Sequence, residues 1–260
     1  MIKILKYSFY DLIRSRWSYV YFSFYLILSF VLLFLNNDLN KAVITLMNII
    51  IILTPLIGTV FGVMYYYNSR EFTELLLAQP IKQSKIFMGQ FLGISISLSL
   101  SLVLGIGIPF VFYGLFMSTS IFNFSLLLIV GTFLNFIFVA LSYNIALSTE
   151  NKIKGFGYAI LMWLFLAVVY DGLLLISLLI FKDYPLDKFS LLTTILNPID
   201  LSRILIILKL DISALLGYTG AVFKKFFGTN FGMLISLMIL MLWLFIPVIR
   251  MNIKLNKKDF

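Results

Sequence analysis

The sequence predicts an all-α polytopic membrane protein with six transmembrane helices. Of the 260 residues, 62% are hydrophobic and 12% are charged, about half the charged fraction of ~25% that is usual in soluble domains. The apolar residues form runs long enough to cross about 30 Å of hydrocarbon as helices, and they do not alternate as barrel strands do. The six runs lie near residues 17–35, 43–67, 86–116, 121–148, 156–181 and 232–249. We therefore predict one transmembrane domain over residues 1–260.

Residues 1–16, MIKILKYSFYDLIRSR, predict an amphipathic helix before the first span. Cations are mixed there with apolar side chains, a pattern typical of a helix that lies at the membrane interface. An ordinary basic flank of the first span is the alternative. The apolar positions are Ile2, Leu5, Phe9, Leu12 and Ile13.

The distribution of Lys and Arg predicts the orientation. Six spans place both termini on one side of the membrane, and 13 of the 20 Lys and Arg residues fall on that side. The positive-inside rule assigns this side to the cytoplasm. We attribute the net charge of +9 mainly to contact with anionic membrane lipid, and it does not imply nucleic-acid binding.

Residues 68–80, NSREFTELLLAQP, interrupt the apolar pattern after the second span. Asn68 with Glu71 three residues later resembles a capping box, and Pro80 prevents the helix from continuing. We therefore predict a short cytoplasmic helix. One of its faces carries Phe72, Leu75, Leu76 and Gln79, and the neighbouring face carries Glu71, Glu74 and Ala78. The apolar face needs a cover, which is either the membrane surface and the chain's own bundle or another protein.

The longer stretch SREFTELLLAQPIKQSKIFMGQFLG resembles the segment between the second and third spans of ABC-2 type ABC transporter permeases. In that family a Glu-Leu-Leu-Leu-x-x-Pro run is followed by basic residues and a glycine-containing third helix. Many members have Gly-Thr before the run, whereas Phe72 precedes Thr73 here, a departure that concerns local geometry. The six spans, the basic N-terminal helix and the long loop before the last span extend the resemblance to the whole chain.

This resemblance implies that residues 68–80 form a coupling helix, which sits in a cleft of a separate ABC ATPase subunit. It further implies a homodimer in the bacterial inner membrane, with both termini cytoplasmic and ATP and Mg²⁺ held by the ATPase. The ATPase-coupling residues that it implies are Arg70, Glu71, Phe72, Glu74, Leu75, Leu76, Gln79 and Pro80.

A narrower resemblance concerns residues 196–223, LNPIDLSRILIILKLDISALLGYTGAVF. They are similar to the outer loop of the NosY subgroup, the permeases of the transporter that matures nitrous oxide reductase. The similarity implies that the chain acts together with an ATPase and with a periplasmic accessory protein of the carbohydrate-binding-repeat type. It also implies a role in delivering a sulfur species or in assembling a copper site.

The residue types limit the chemistry of the chain. It contains no GxxxxGK[ST] motif, so powered transport requires a separate ATPase. It contains neither His nor Cys, and it therefore offers no imidazole or thiolate to copper or zinc and no thiol nucleophile. We predict a transporter subunit that is not an enzyme and has no cofactor, metal or catalytic site of its own.

Small residues recur every four positions along the third span, and a shorter pair lies in the second span. Such stripes let two helix backbones approach closely. Packing within the subunit is the simplest interpretation, and a dimer interface or a translocation path is the alternative. The residues are Gly89, Gly93, Ser97, Ser101 and Gly105 in the third span, and Gly58 and Gly62 in the second.

Polar side chains inside spans are candidates for a translocation pathway because burying them in lipid is costly. The candidates are Asn135, Asn144 and Asp171. Asp171 is the one acid well inside a span, and an unpaired carboxylate there would be protonated or would face water or a partner. A structural hydrogen bond to a neighbouring helix is the alternative for Asp171.

Residues 182–231 are too apolar for an open loop and predict two or three short extracytoplasmic helices, with Asn197 and Pro198 opening the second. These helices either dip into the outer leaflet or lie flat over the bundle. Asp200, Arg203 and Asp211 would then face outward and contact a periplasmic partner, or form a solvated rim.

Taken together, these features predict the permease subunit of an ABC transporter. Such a subunit couples ATP hydrolysis by its partner to transport or to conformational signalling across the membrane. The alternative is an ATP-independent membrane scaffold or a secondary transporter. Secondary transporters usually contain repeated halves with broken, ion-binding helices, and no convincing internal repeat is visible here, which favours the ABC interpretation.

Overall fold

A computed structural model describes residues 1–36, 39–118, 120–181, 186–209 and 230–257. These residues form helices and connecting turns, with no strand among them. In chain order the helices are α1 (Ile2–Arg14), α2 (Arg16–Asn36), α3 (Leu39–Asn68), α4 (Arg70–Leu77), α5 (Gln83–Phe112), α6 (Ile121–Ser148), α7 (Lys152–Leu164), α8 (Tyr170–Ile180), α9 (Asp187–Ile195), α10 (Pro198–Lys209) and α11 (Asn230–Lys257).

Six helical segments are long and apolar enough to cross a membrane: α2, α3, α5, α6, the α7–α8 pair and α11. The α7–α8 pair is one span, joined by the π-helical segment Phe165–Val169. The prediction of an all-α polytopic membrane protein is confirmed. The third span ends at Phe112, earlier than the predicted residue 116, and Gly114 follows with a φ of 82°, a conformation that favours glycine.

The centre of the bundle is built on close packing of α3 against α6. A Cβ atom added to Gly58 would meet Asn135, and one added to Gly62 would collide with Ser142. The helix α5 is covered in the same way by the first two helices. Gly89 lies against Ile4 and Gly93 against Ser8 of α1, whereas Gly105 lies against Tyr25 of α2. The small-residue stripe therefore packs within the chain.

The contact with α5 determines which side of α1 is buried. Ile4, Ser8 and Leu12 are the buried residues of α1, since two glycines of α5 admit the α1 backbone and a small Ser8 side chain fits between them. Of the apolar positions singled out from the sequence, Leu12 is buried, Leu5, Phe9 and Ile13 are half-buried, and Ile2 is exposed. The sequence pattern therefore shares only Leu12 with the buried side of α1.

The two ends of the bundle differ in construction. At one end, which we call the α4 end, α4 lies near the turn at residues 149–151 and the last turns of α11. Hydrogen bonds join the turn to α3 and α11 to α6 at this end: the Tyr67 hydroxyl donates to the Thr149 carbonyl (2.7 Å), and the Lys254 Nζ donates to the Asn144 carbonyl (3.1 Å).

Toward the opposite end, α9 and α10 form a bent pair, which we call the hairpin. The helix axis bends by 115° between α9 and α10, with the break at Leu196 and Asn197. Two of the short helices predicted over residues 182–231 are therefore present. The third predicted helix, with Gly217 and Gly220, lies outside the described residues, as does the candidate contact residue Asp211.

Candidate functional site

Only Ser69 separates the end of α3 from the start of α4. The contacts at the start of α4 differ from those of the predicted capping box. Ser69 is the N-cap residue and makes no side-chain capping bond. Asn68 is the last residue of α3, and its Oδ1 accepts a hydrogen bond from the Lys152 Nζ (2.9 Å). The prediction of an Asn68–Glu71 capping box was wrong because Asn68 is still helical and its side chain is engaged by another turn.

The inner side of α4 is fastened to two other helices. Thr73 is only 6% exposed, and its hydroxyl donates to the Ser69 carbonyl while accepting from the Nε2 of the buried Gln90 of α5 (both 2.8 Å). The ring of Phe72 stacks on Tyr7 of α1, with centroids 4.5 Å apart. These contacts make α4 a rigid extension of α1 and α5 rather than a loose loop.

The outer side of α4 is open and mixed in character. Leu75 is 70% exposed, while Phe72 and Leu76 are partly covered. Glu71, Gln79 and Pro80 are exposed. The predicted apolar face is therefore divided: the bundle covers Phe72, and Leu75 remains available to a partner.

A cleft of about 470 Å³ lies between α4 and the turn that follows α6. We call it the α4 cleft. It is lined by Tyr66, Tyr67, Arg70, Thr73, Glu74, Leu77, Ala78, Phe87, Thr149 and Glu150. The Arg70 Nε donates to the Glu74 Oε1 (3.0 Å), whereas Glu150 has no ion pair within the part of the chain that the structure describes.

A second group of polar side chains lies deep in the bundle, where the hairpin meets α8. The Arg203 Nη1 donates to the Asp171 Oδ2 (2.6 Å) and more weakly to the Asp200 Oδ1 (3.4 Å). The Asn197 Nδ2 donates to the Asp200 Oδ2 and to the Leu166 carbonyl (both 2.8 Å). We call Asp171, Asn197, Asp200 and Arg203 the hairpin cluster.

The depth of the hairpin follows from its hydrogen bonds. Leu166, in the π-helical segment, lies about halfway along the span Lys152–Ile180, and it accepts from Asn197 at the hairpin break. Trp243 lies about halfway along α11, roughly 20 Å from its start, and its indole N–H donates to the Ile195 carbonyl (3.0 Å). The break therefore reaches the middle of the bundle, where protein groups satisfy the polar backbone.

Two of the three candidate pathway residues, Asn135 and Asn144, bond to neighbouring helices, and their role in a pathway stays a prediction. The Asn144 Nδ2 donates to the Ala140 carbonyl in its own helix and to the Pro247 carbonyl of α11 (2.7 Å). The Asn135 Nδ2 donates to the Ser99 hydroxyl of α5 (3.3 Å). Neither residue lies in the hairpin cluster, and both tie α6 to a neighbouring helix.

Asp171, by contrast, pairs with residues that the sequence assigned to another role. Asp200 and Arg203 were expected to face outward, yet they fold back onto α8, with Asp200 buried and Arg203 half-buried. Of the alternatives for Asp171, the bond to a neighbouring helix is the one observed. The signal available in the sequence was the Asn197-Pro198 dipeptide between two apolar segments. It predicts a turn of the chain, but it does not predict how deep in the bundle that turn lies.

The described residues contain no group of three or more His, Cys, Asp or Glu side chains able to hold a metal ion. The absence of a cofactor stays a prediction. A comparison with protein-family models found no match, and a search of curated proteins found none either.

Proposed function

We propose that this chain is the membrane subunit of an ABC transporter of the ABC-2 type, working as a homodimer in the bacterial inner membrane. In this proposal the α4 end faces the cytoplasm, and two separate ATPase subunits dock on the α4 helices and bring ATP and Mg²⁺. The observation that carries the proposal is α4 itself. It is a short helix between the second and third spans that exposes Leu75 and is bonded rigidly to α1 and α5.

The contacts of α4 suggest how force would pass into the membrane. Closure of the ATPases on ATP would move α4, and the Thr73–Gln90 hydrogen bond and the Phe72–Tyr7 stack would move α5 and α1 with it. The close packing of Gly93 on α1 and of Gly105 on α2 would pass the motion along two helices. Packed helices transmit displacement because they have little free volume.

The hairpin supplies an element that can respond at the other end of this path. It enters the bundle as two half-helices, and charged and hydrogen-bonded groups hold it against α8. Asp171 and Arg203 are 29% and 27% exposed in the single chain. Because half-exposed charges at this depth do not face lipid without a large cost, a second copy or a water-filled path covers them in the proposed dimer.

The finer assignment concerns the cargo. The similarity of residues 196–223 to NosY permeases supports a role in nitrous oxide reductase maturation, through a sulfur species or copper-site assembly, with a periplasmic partner. Asn197, Asp200 and Arg203 belong to this stretch, but in the structure they bond to one another, to the π-helical segment and to α8. This part of the proposal rests on the resemblance alone.

The test is co-purification with the ABC ATPase encoded nearest to this chain. Leu75→Asp, alone and with Leu76→Asp, is expected to abolish the complex and the permease-dependent ATP hydrolysis, because a charge would be placed in an apolar contact. Ile2→Asp is the matched control, since Ile2 is an equally exposed aliphatic residue on α1. An intact complex in the Leu75 variants, with unchanged hydrolysis, would remove α4 as the docking site.

One observation favours a second candidate, an ion-coupled secondary transporter. Broken helices that meet near the middle of the membrane are typical binding sites in such proteins, and the hairpin with its two carboxylates has this form. Proteoliposomes that contain the chain alone distinguish the two candidates. Ion-gradient-driven cargo uptake without any ATPase would support the second candidate and contradict the first.

A further inference from the structure

The inner wall and the mouth of the α4 cleft carry different kinds of side chain. Its inner wall is aromatic: Tyr66 and Tyr67 at the end of α3 face the cleft together with Phe87 of α5, and the Tyr66 and Phe87 rings stack at 5.9 Å. The residues at its mouth are exposed and charged, namely Arg70, Glu74 and Glu150. An aromatic wall beneath carboxylates is the combination that binds organic cations.

The charges at the mouth leave one carboxylate without a partner. Arg70 is already paired with Glu74 (3.0 Å). The nearest lysine in the sequence, Lys152, directs its Nζ to Asn68, and no ion pair of Glu150 occurs among the described residues. The lining residues thus carry a net charge of −1, on an end of the bundle where most neighbouring charged residues are basic.

The cleft is a fixed shape rather than a gap between loose segments. The Tyr67 hydroxyl bonds to the Thr149 carbonyl (2.7 Å), and the Asn151 side chain caps α7 by accepting from the Ile153 and Lys154 backbone N–H groups. A side chain at Gly155 would collide with the Tyr67 ring. The 149–151 wall is therefore held to the end of α3, and the Thr73–Gln90 bond holds the α4 wall to α5.

We propose that the α4 cleft receives one protruding arginine side chain of the ATPase subunit, a proposal that rests on the function proposed above. The guanidinium stacks on the Tyr66 or Tyr67 ring and pairs with the Glu150 carboxylate. Arginine fits better than lysine because its planar group can stack on a ring and bond to a carboxylate at the same time. A phospholipid amine fits less well, since its phosphate would lie beside Glu74 and Glu150.

This contact gives the ATPase two separate attachments to one rigid end. Leu75 supplies an apolar anchor on the outside of α4, and the cleft supplies a charged anchor between α4 and the 149–151 turn. Charged pairs of this kind set orientation and partner choice. The arginine therefore fixes the angle at which α4 sits on the ATPase.

The test measures the affinity of the ATPase for the detergent-purified permease, with charge variants of two exposed acidic residues, Glu150 and Asp11. Glu150→Lys is expected to weaken binding by about tenfold or more and Glu150→Gln by less, since reversal adds repulsion to the lost pair. Asp11→Lys is the matched control, because Asp11 is exposed on α1 near α4, lies outside the docking helix and does not line the cleft. It is expected to change affinity by less than about twofold.

The outcomes separate this inference from the proposed function. If Leu75→Asp abolishes the complex while Glu150→Lys behaves like Asp11→Lys, the cleft inference is wrong and the docking proposal stands. If neither Leu75→Asp nor Glu150→Lys weakens binding, the docking proposal itself fails.

A photo-crosslinking amino acid at Ala78, on the lining of the cleft, identifies the occupant directly. We expect a crosslink to an ATPase peptide that contains an arginine, and replacement of that arginine by glutamate should restore binding to Glu150→Lys. A crosslink to phospholipid instead, in the assembled complex, would overturn the proposal. All variants are first checked for a monodisperse elution profile.

Discussion

The ion pairs Arg70–Glu74 and Arg203–Asp171 use similar groups in opposite settings. Arg70 and Glu74 belong to one helix and are 60% and 61% exposed, whereas Arg203 and Asp171 join two helices and are 27% and 29% exposed. Water screens the first pair, which contributes little to stability. The second pair is partly desolvated, so removing one partner leaves a poorly solvated charge.

This difference indicates a division of labour between the two regions. The α4 end presents apolar and acidic groups that are exposed among the described residues, which suits recognition of a partner. The hairpin cluster saturates most of its polar groups internally, which suits an element that holds one arrangement until it is driven to another. The following predictions test that contrast, from the largest expected effect to the smallest.

The largest effect is expected for Arg203→Met. Two carboxylates would then face each other without a cation. The free energy of unfolding should decrease by an amount near the lower end of the usual loss of about 3–5 kcal/mol, because the pair is only partly buried. Thermal unfolding in detergent measures it, with Trp243 fluorescence as a local probe because its indole bonds to the hairpin. Adding Asp171→Asn should restore part of the loss, and a variant as stable as wild type would show that the pair does not hold the hairpin.

A smaller loss is expected for Gly93→Leu, which forces α1 away from α5. The nearest atoms to an added Cβ are 2.8–3.0 Å away on Ser8, Leu5 and Phe9, and overpacking of this kind costs about 1–3 kcal/mol. Gly107→Leu is the control in the same helix, because no described residue lies within 4 Å of its added Cβ. Equal melting temperatures for the two variants would mean that α1 is not clamped to α5.

Asn197→Ala tests the hairpin break itself. It removes a buried amide that bridges the Leu166 carbonyl and Asp200, and leaving such groups unsatisfied costs about 1–3 kcal/mol. Asn36→Ala is the comparison, since within the described parts of the chain the Asn36 amide bonds to the Leu32 carbonyl, one turn back in its own helix. Denaturation by SDS in mixed micelles should separate the two, and no difference would argue against a bridged break.

The smallest effect is expected for Arg70→Met. Its exposed pair with Glu74 should contribute less than about 1 kcal/mol, so the melting temperature should stay within error of wild type at low and at high salt. A clear drop that salt abolishes would show that α4 depends on this pair for its fold. The contrast between the two ion pairs would then be weaker than we infer.

The sequence predicted the spans well because membrane helices need long apolar runs, and each predicted run overlaps a helix of the structure. It also placed α4, since Pro80 and the charges at Arg70 and Glu71 interrupt the pattern. The prediction of a capping box was wrong because helix α3 continues to Asn68. Local sequence contains no signal for where an exposed side chain finds a long-range partner such as Lys152.

The hairpin cluster was not predictable from local patterns. Asp171 and Arg203 lie 32 positions apart, and their meeting depends on α9 running back along α8 to the middle of the bundle. The sequence showed two short helices with a break at Asn197 and Pro198. Without the three-dimensional path, a lone intramembrane carboxylate and two charges in an outer loop appeared to be unrelated.

The central claim is that ATP at the α4 end drives a change at the hairpin, and one distance tests it most directly. The chain contains no cysteine, so spin labels at Leu175→Cys on α8 and Leu192→Cys on α9 report their separation in the ATPase complex. We predict that trapping with ATP and vanadate changes this distance, and that Leu75→Asp abolishes the change. An identical distance distribution with and without nucleotide, in a complex that hydrolyses ATP, would contradict the account.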